Sequence, residues 1–298
     1  MIRAGQNARD GFDLVVDDTL AGWQHTGLRV VSLNAEQRAE VPAGPWEYVV
    51  VPLTGPVTVA AKDSDGDGET VELAGRPSVF SGPTDVAYVP AGSSLTLTGV
   101  AEATRVAVCA AAVTAPTGRK IRHVGADEVP VELRGAGIAS REVRNFAVPD
   151  VLEADKIIAC EVVTPAGNWS SYPPHKHDEE REGAETELEE IYYFETQVEG
   201  GVDRPGADPV GYQQVYGTVE RPIEVLAQVR TGDVVLVPHG WHGPAMAAPG
   251  YDLYYLNVMA GPGATRAWLI CDDPSHGWVR ETWAGQPVDP RLPLGGPR

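Results

Sequence analysis

At 298 residues, 43% hydrophobic and 22% charged, the chain has the make-up of a soluble globular protein, one large domain or two of about 150 residues. A net charge of −19 excludes nucleic acid and anionic membranes as natural partners; a small anionic substrate would need a local positive focus, which a divalent cation supplies. No run approaches the roughly 18 apolar residues of a membrane helix, and "MIRAGQNARD" has no apolar secretion core, so a cytoplasmic location is expected.

Taken in chain order, the predicted elements are strands. "WEYVVVPLTGPVTVA", "TDVAYVPAGSSLTLTG", "TRVAVCAAAV", "DKIIACEVVTPAG", "EEIYYFET", "DVVLVPHG" and "YDLYYLNVMA" are short β-branched or aromatic runs punctuated by 33 Gly and 25 Pro. Long amphipathic helices are scarce, which predicts an all-β sandwich or barrel. Cys109, Cys160 and Cys271 are far apart and odd in number, so buried, reduced thiols are expected.

One repeat is visible. "DVAYVPAGSS" (85–94) and "DVVLVPHGWH" (233–242) align without a gap, matching Asp85 with Asp233, Val89 with Val237, Pro90 with Pro238 and Gly92 with Gly240. A looser echo sets "EYVVVPLTG" from Glu47 against "EIYYFETQVEG" from Glu190. Together they predict two copies of one β module, divided near "TAPTGRK" (114–120), into residues 1–117 and 118–298. Ser94 stands where the second copy has His242, and no His-x-His precedes Glu47. The first module therefore reads as structural and the second as the one that carries the site.

The second copy concentrates the chemistry. In "SSYPPHKHD" (170–178), His175 and His177 are two apart, so a strand projects them to one face and Lys176 to the other. Glu190 opens the run "EIYYF", and His242 follows the turn "VPHGW". Three imidazoles and a carboxylate suit one divalent Zn, Mn, Fe, Co or Ni ion with positions left for substrate. His239 is the alternative to His242, and Glu189 should face away from Glu190. His25, His123 and His276 lack a paired neighbour. The run "DEEREGAETELEE" reads as a solvated loop or a lid.

The strings "GNWSSYPPHKHD", "LEEIYYF", "GDVVLVPHGWHGP" and "APGYDLYYLNVMAGP", with "VFSGPTDVAYVPAG" and "CDDPSHGWVR" outside the site, resemble the 5-deoxy-glucuronate isomerase family of myo-inositol catabolism. That is a bicupin family related to the 4-deoxy-L-threo-5-hexosulose-uronate ketol-isomerases of pectin degradation. The resemblance implies two cupin barrels and His175, His177, Glu190 and His242 as metal ligands. It also implies isomerisation of 5-deoxy-D-glucuronate to 5-dehydro-2-deoxy-D-gluconate through a metal-stabilised enediolate.

Two positions depart from the family pattern: Gln214 stands where arginine is expected, and Ile138 where asparagine is expected. If that arginine grips the substrate carboxylate, Lys176, Arg230, Arg266 and Arg280 are the candidates to replace it. Gln214 and Tyr216 share one strand face, and Tyr255 and Asn257 another. Gln214, Tyr216, Tyr255 and Lys176 are therefore candidate substrate contacts; Tyr255 and Tyr216 are weak candidates for moving the proton, and a metal-bound hydroxide is an equally good base that needs no residue. An isomerase of a related uronate, a cupin dioxygenase and a non-catalytic sugar-binding cupin are the competing readings. Whether the chain forms a homo-oligomer is left open by the sequence.

Overall fold

A computed structural model describes residues 1–63 and 66–295, and the chain is built from antiparallel sheets. Among the described residues the only helical segments are short 3-10 turns. A six-stranded sheet in the spatial order Leu14–Val16, Thr26–Leu33, Thr104–Ala112, Trp46–Thr54, Val86–Val89, Arg122–Val124 faces a four-stranded sheet made of Arg38–Val41, Ser94–Gly99, Val57–Lys62 and Gly68–Leu73. The second half repeats the plan. The sheet Val131–Arg134, Arg141–Ala147, Ile158–Thr164, Tyr251–Ala260, Glu189–Val198, Val234–Val237 faces one containing Gly211–Tyr216, Trp241–Ala247 and His175–Lys176.

Strand alternation explains the cores. Ser94–Gly99 buries every second residue, as expected of a strand with one wet face. Trp46–Thr54 is buried on both faces: Tyr48 and Val50 fill the first barrel, whereas Val49, Val51 and Leu53 join a third core between the two large sheets. That central core includes Phe146, Ile157, Tyr193, Tyr254 and Leu256 of the second half, while Val143, Cys160, Tyr192, Phe194 and Tyr255 lie inside the second barrel. The two modules are thus fused along their large sheets.

Reciprocal contacts secure the fusion. The Glu47 carboxylate accepts the backbone N–H groups of Asp155, Lys156 and Ile157, and the Glu189 carboxylate accepts those of Gln24, His25 and Thr26. Arg122–Val124 pairs with the edge strand Val86–Val89, and Ile2 bridges to Val234 on the matching edge of the second module. Arg122–Val124 thus completes the first sheet although it follows the expected boundary at 117, and the N-terminus reaches the second sheet through Ile2. At the centre, the Arg76 fork grips Glu161 at 2.6 and 2.7 Å, and Arg144 bonds Glu161 at 2.9 Å and Glu142 at 2.6 Å.

Register corrects the looser sequence echo by one residue. Tyr48 pairs with Val89 and Glu190 with Val237, so the counterpart of Glu190 is Tyr48, and Glu47 matches Glu189. A slip of one residue exchanges the faces of a strand, so Glu47 and Glu189 face the opposite half while Glu190 faces the barrel interior. Two further expectations change. Cys109 and Cys160 are buried and free, but Cys271 is half-exposed on the short strand Cys271–Asp272. The acidic run is not simply solvated: Glu185 is buried, bonded by Lys176 and Arg181, Leu188 is buried, and Glu189 and Glu190 enter the sheet.

Candidate functional site

His175 lies on a two-residue strand between Trp241–Ala247 and Cys271–Asp272, directly opposite His242 in the ladder. His177 follows it, and Glu190 points inward from the facing large sheet, where Asn257 donates to its Oε1 at 2.5 Å. One glycine makes the pairing of the histidines feasible. Gly243 has φ +113, and a Cβ there would meet the Ser171 carbonyl and come within 2.7 Å of the His175 ring.

The side chains converge. Ring nitrogens of His175, His177 and His242 lie within 4.8 Å of one another, and all three residues are buried. His177 Nε2 is 3.1 Å from His242 Nε2, and Glu190 Oε2 is 3.0 and 2.9 Å from these two atoms. The outer nitrogens face backbone carbonyls: His242 Nδ1 lies 2.8 Å from the Gly240 oxygen, His177 Nδ1 3.3 Å from that of Leu188, and His175 Nδ1 3.5 Å from that of Pro173. Carbonyl partners place the proton on Nδ1 and leave the Nε2 lone pairs aimed at each other and at a carboxylate.

Such a cluster of acceptors needs a positive charge at its centre. Burial, with His242 and His177 beside it, holds the His175 pKa well below normal, so this ring stays neutral. Burial also opposes charge on His177, but the hydrogen bond and charge of Glu190 outweigh it and raise its pKa. Burial opposes ionisation of Glu190, yet the bonds from His177 and His242 prevail and bring it down to about 2. The inward nitrogens of three imidazoles beside an ionised carboxylate make a mixed nitrogen and oxygen donor set that fits a divalent ion.

A cavity of about 440 Å³ opens beside the cluster, lined by His175, Glu190, Ser171, Tyr192 and Asn257 together with arginines and tryptophans. Of the residues singled out in the sequence, His175, His177, Glu190 and His242 are brought together. Tyr255 is buried behind this wall; its hydroxyl bonds Ser171 Oγ at 2.7 Å and Ser170 Oγ at 3.0 Å, and burial pushes its pKa up to about 12. The Tyr216 hydroxyl donates to Asp273 at 2.5 Å, and Gln214 lies half-buried on the same strand; neither lines the cavity.

Lys176 points away as alternation requires, held by Asp178 at 2.6 Å and Glu185 at 2.8 Å. His239 lies outside the cluster, and Glu189 faces the other module. Arg230 pairs with Asp208, and Arg266 donates to the carbonyls of Ile157, Leu152 and Ala147. Only Arg280 of the four candidate cations lines the cavity. Sequence reasoning missed Arg134 and Arg141, which also line it. Arg141 sits in "GAGIASREV" at the start of the strand REVRNFA, where neighbouring Glu142 and Arg144 make it read as one of several mixed charges, so its signal is weak without knowledge of the register.

Comparison with known proteins adds the lineage. Residues 1–279 match the KduI/IolB family. The chain is 39% identical over 264 residues to a 5-deoxy-glucuronate isomerase of Geobacillus kaustophilus, covering 88% of each chain. It is 37% identical over 276 residues to one of Shouchella clausii, covering 91% of this chain and 94% of that one. Among solved structures, an IolB-like protein from Salmonella typhimurium LT2 superposes with a TM-score of 0.79 at 32% identity, over 91% of this chain and 96% of that one. An oxalate decarboxylase from Lactobacillus farciminis superposes at 0.60 with 12% identity, over 92% and 90%, which establishes the shared bicupin fold alone.

Proposed function

The chain belongs to the KduI/IolB family, and from that premise we propose that it isomerises 5-deoxy-D-glucuronate to 5-dehydro-2-deoxy-D-gluconate in inositol catabolism. One divalent metal ion would be held by His175, His177, Glu190 and His242. The observation that carries this reading is the convergence of the inward ring nitrogens on the Glu190 carboxylate, beside a cavity of sugar size. When bound, the ion supplies a Lewis acid for the negative charge that develops on oxygen during aldose–ketose isomerisation. We assign the site to the module 118–298 and a structural role to 1–117.

The reaction removes the proton from the carbon beside the aldehyde, passes through an enediolate and returns a proton to the former aldehyde carbon, with no net oxidation. The chain's own groups supply the positioning and the oxygen-to-oxygen proton movement within this sequence. The carbonyls of Gly240, Leu188 and Pro173 fix the ring orientations, and Asn257 fixes the carboxylate. Ser171 lines the cavity, and its Oγ is bonded to the Tyr255 hydroxyl, which bonds on to Ser170. With its pKa near 12, Tyr255 is a neutral hydroxyl at physiological pH. We assign Ser171, backed by Tyr255, to moving a proton between the two substrate oxygens, and Tyr255 to positioning. Val143, Val162 and Tyr192 wall the cavity with apolar surface that limits water.

The test is His242→Ala, read by bound metal and by NMR of 5-deoxy-glucuronate turnover in deuterated water. Loss of the ion should slow isomerisation on the order of 10³-fold, the equivalent of several kcal/mol of transition-state stabilisation. Full activity in a metal-free variant would rule the reading out. Deuterium at the carbon next to the new ketone would support an enediol that exchanges with solvent.

A further inference from the structure

The cavity beside the histidines carries three guanidinium groups, although the chain as a whole is strongly acidic. Two are neutralised locally: Arg134 by Glu132 at 2.8 Å, and Arg280 by Asp272 at 2.5 and 2.7 Å. Arg141 is not. It is buried, at 7% exposure, and among the described residues no carboxylate comes within ion-pairing distance. The hydrogen bond its guanidinium makes is to the Ala139 carbonyl at 3.2 Å, and it lies over the Trp283 ring. Most of its donors are therefore uncommitted.

The surroundings accommodate this charge at a cost. Arg141 is the direct cross-strand partner of Arg134, and like charges in that position oppose strand pairing. A buried cation without a counter-charge is itself unfavourable, and burial together with Arg134 and Arg280 lowers its pKa to about 10, which still leaves it charged at neutral pH. Gly135, at φ +77, leaves the space: a Cβ there would come within 2.8 Å of Arg141 Nη1. The indole N–H of Trp268, on the same cavity, is buried without a partner. A small anion in the cavity would satisfy the uncommitted donors of Arg141.

We propose that Arg141 is the anchor for the substrate's carboxylate, gripping it with the fork of its guanidinium while the carbonyl end of the same molecule faces His175 and Glu190. Arg134 and Arg280, already paired, shape the field around it. The inference rests on the isomerase reading for its choice of a sugar acid, and it makes this site selective for uronates over neutral aldoses. It also accounts for Gln214, which lies off the cavity and has no carboxylate to hold.

Wild type, Arg141→Gln and Arg141→Lys, each checked for an unchanged melting curve, are compared in two assays. In the first, metal-free protein is titrated calorimetrically with gluconate, a sugar acid without an aldehyde. Arg141→Gln should bind about 100-fold more weakly, the usual scale for removing one partner of a buried charge-assisted pair, and Arg141→Lys about 10-fold. In the second, the preference of the metal-loaded enzyme for 5-deoxy-glucuronate over the neutral 5-deoxy-glucose should fall about 100-fold in Arg141→Gln, mostly through KM. Unchanged gluconate binding and unchanged preference would overturn the proposal, as would a wild type that does not bind gluconate. A wild type that binds gluconate but isomerises neither sugar overturns the isomerase reading and leaves the anchor standing. If Arg141→Gln does not fold, Arg141→Lys alone decides by the same two readouts.

Discussion

Tyr48 in the first barrel and Glu190 in the second occupy one register position, opposite the matched residues Val89 and Val237. Ser94, which the repeat aligns with His242, does not share its place: it lies on the wet face of its strand opposite Lys62, whereas His242 is buried opposite Val215. In the first barrel this region is an apolar interior of valines, leucines and Tyr48; in the second, a carboxylate and three imidazoles displace part of the core. The contacts between the modules differ far less. Glu47 and Glu189 each accept three backbone N–H groups from the other half, and each large sheet takes a further short pairing at its edge, Arg122–Val124 on Val86–Val89 and Ile2 on Val234. The shared architecture resides in the seam, and the chemistry in one interior. A barrel relieved of binding duties can be filled for stability, while its partner carries the cost of buried polar groups.

The largest stability effect is expected where the seam is most buried. Glu161→Gln leaves Arg76 and Arg144 without their shared carboxylate and should cost about 3 to 5 kcal/mol in chemical unfolding at pH 7, with both modules losing cooperativity together. Burial opposes ionisation of Glu161, but the two guanidiniums prevail and hold its pKa at about 2. Because that is below its unfolded value, its contribution is present at neutral pH and disappears as pH falls from about 4.3 towards 2. Stability of the wild type should therefore drop across that window, and the Glu161→Gln profile should be flatter there.

The paired carboxylates test the symmetry directly. Glu47→Gln and Glu189→Gln should each destabilise by about 2 kcal/mol, since each weakens three charge-assisted bonds to buried or half-buried backbone. A large cost at one and none at the other would break the equivalence of the two sides of the seam. Gly92 and Gly240 sharpen the contrast inside the barrels. Both have positive φ, so alanine at Gly92, with nothing near its Cβ position, should cost only about 1 to 2 kcal/mol of backbone strain.

Alanine at Gly240 would also come within 2.7 Å of the Tyr216 carbonyl and disturb the oxygen that orients His242, lowering metal affinity about 10- to 100-fold. The smallest effect belongs to Ser94→Ala, which should change stability by under about 0.5 kcal/mol and leave metal content alone.

Much of the candidate site could be read from the sequence because its parts obey strand periodicity. His-x-His fixes a common face, and the turn before His242 repeats an earlier turn almost residue for residue. What was hidden depended on register or on distant partners. The Glu47 echo was one residue off because two adjacent glutamates open the later strand and only the ladder shows which faces inward. Arg141 was hidden because a buried, unpaired guanidinium is defined by which carboxylates are missing around it. The acidic run looked solvated because the cations that bury Glu185, Lys176 and Arg181, lie within or just before it and read locally as mixed charge.

The account turns on one barrel holding an ion and the other holding none. Elemental analysis of the purified protein, with turnover of 5-deoxy-glucuronate followed on the same sample, should find one divalent ion per chain, lost together with activity in His177→Ala and retained in Ser94→Ala. Two ions per chain, or full turnover by His177→Ala with no bound metal, would contradict it.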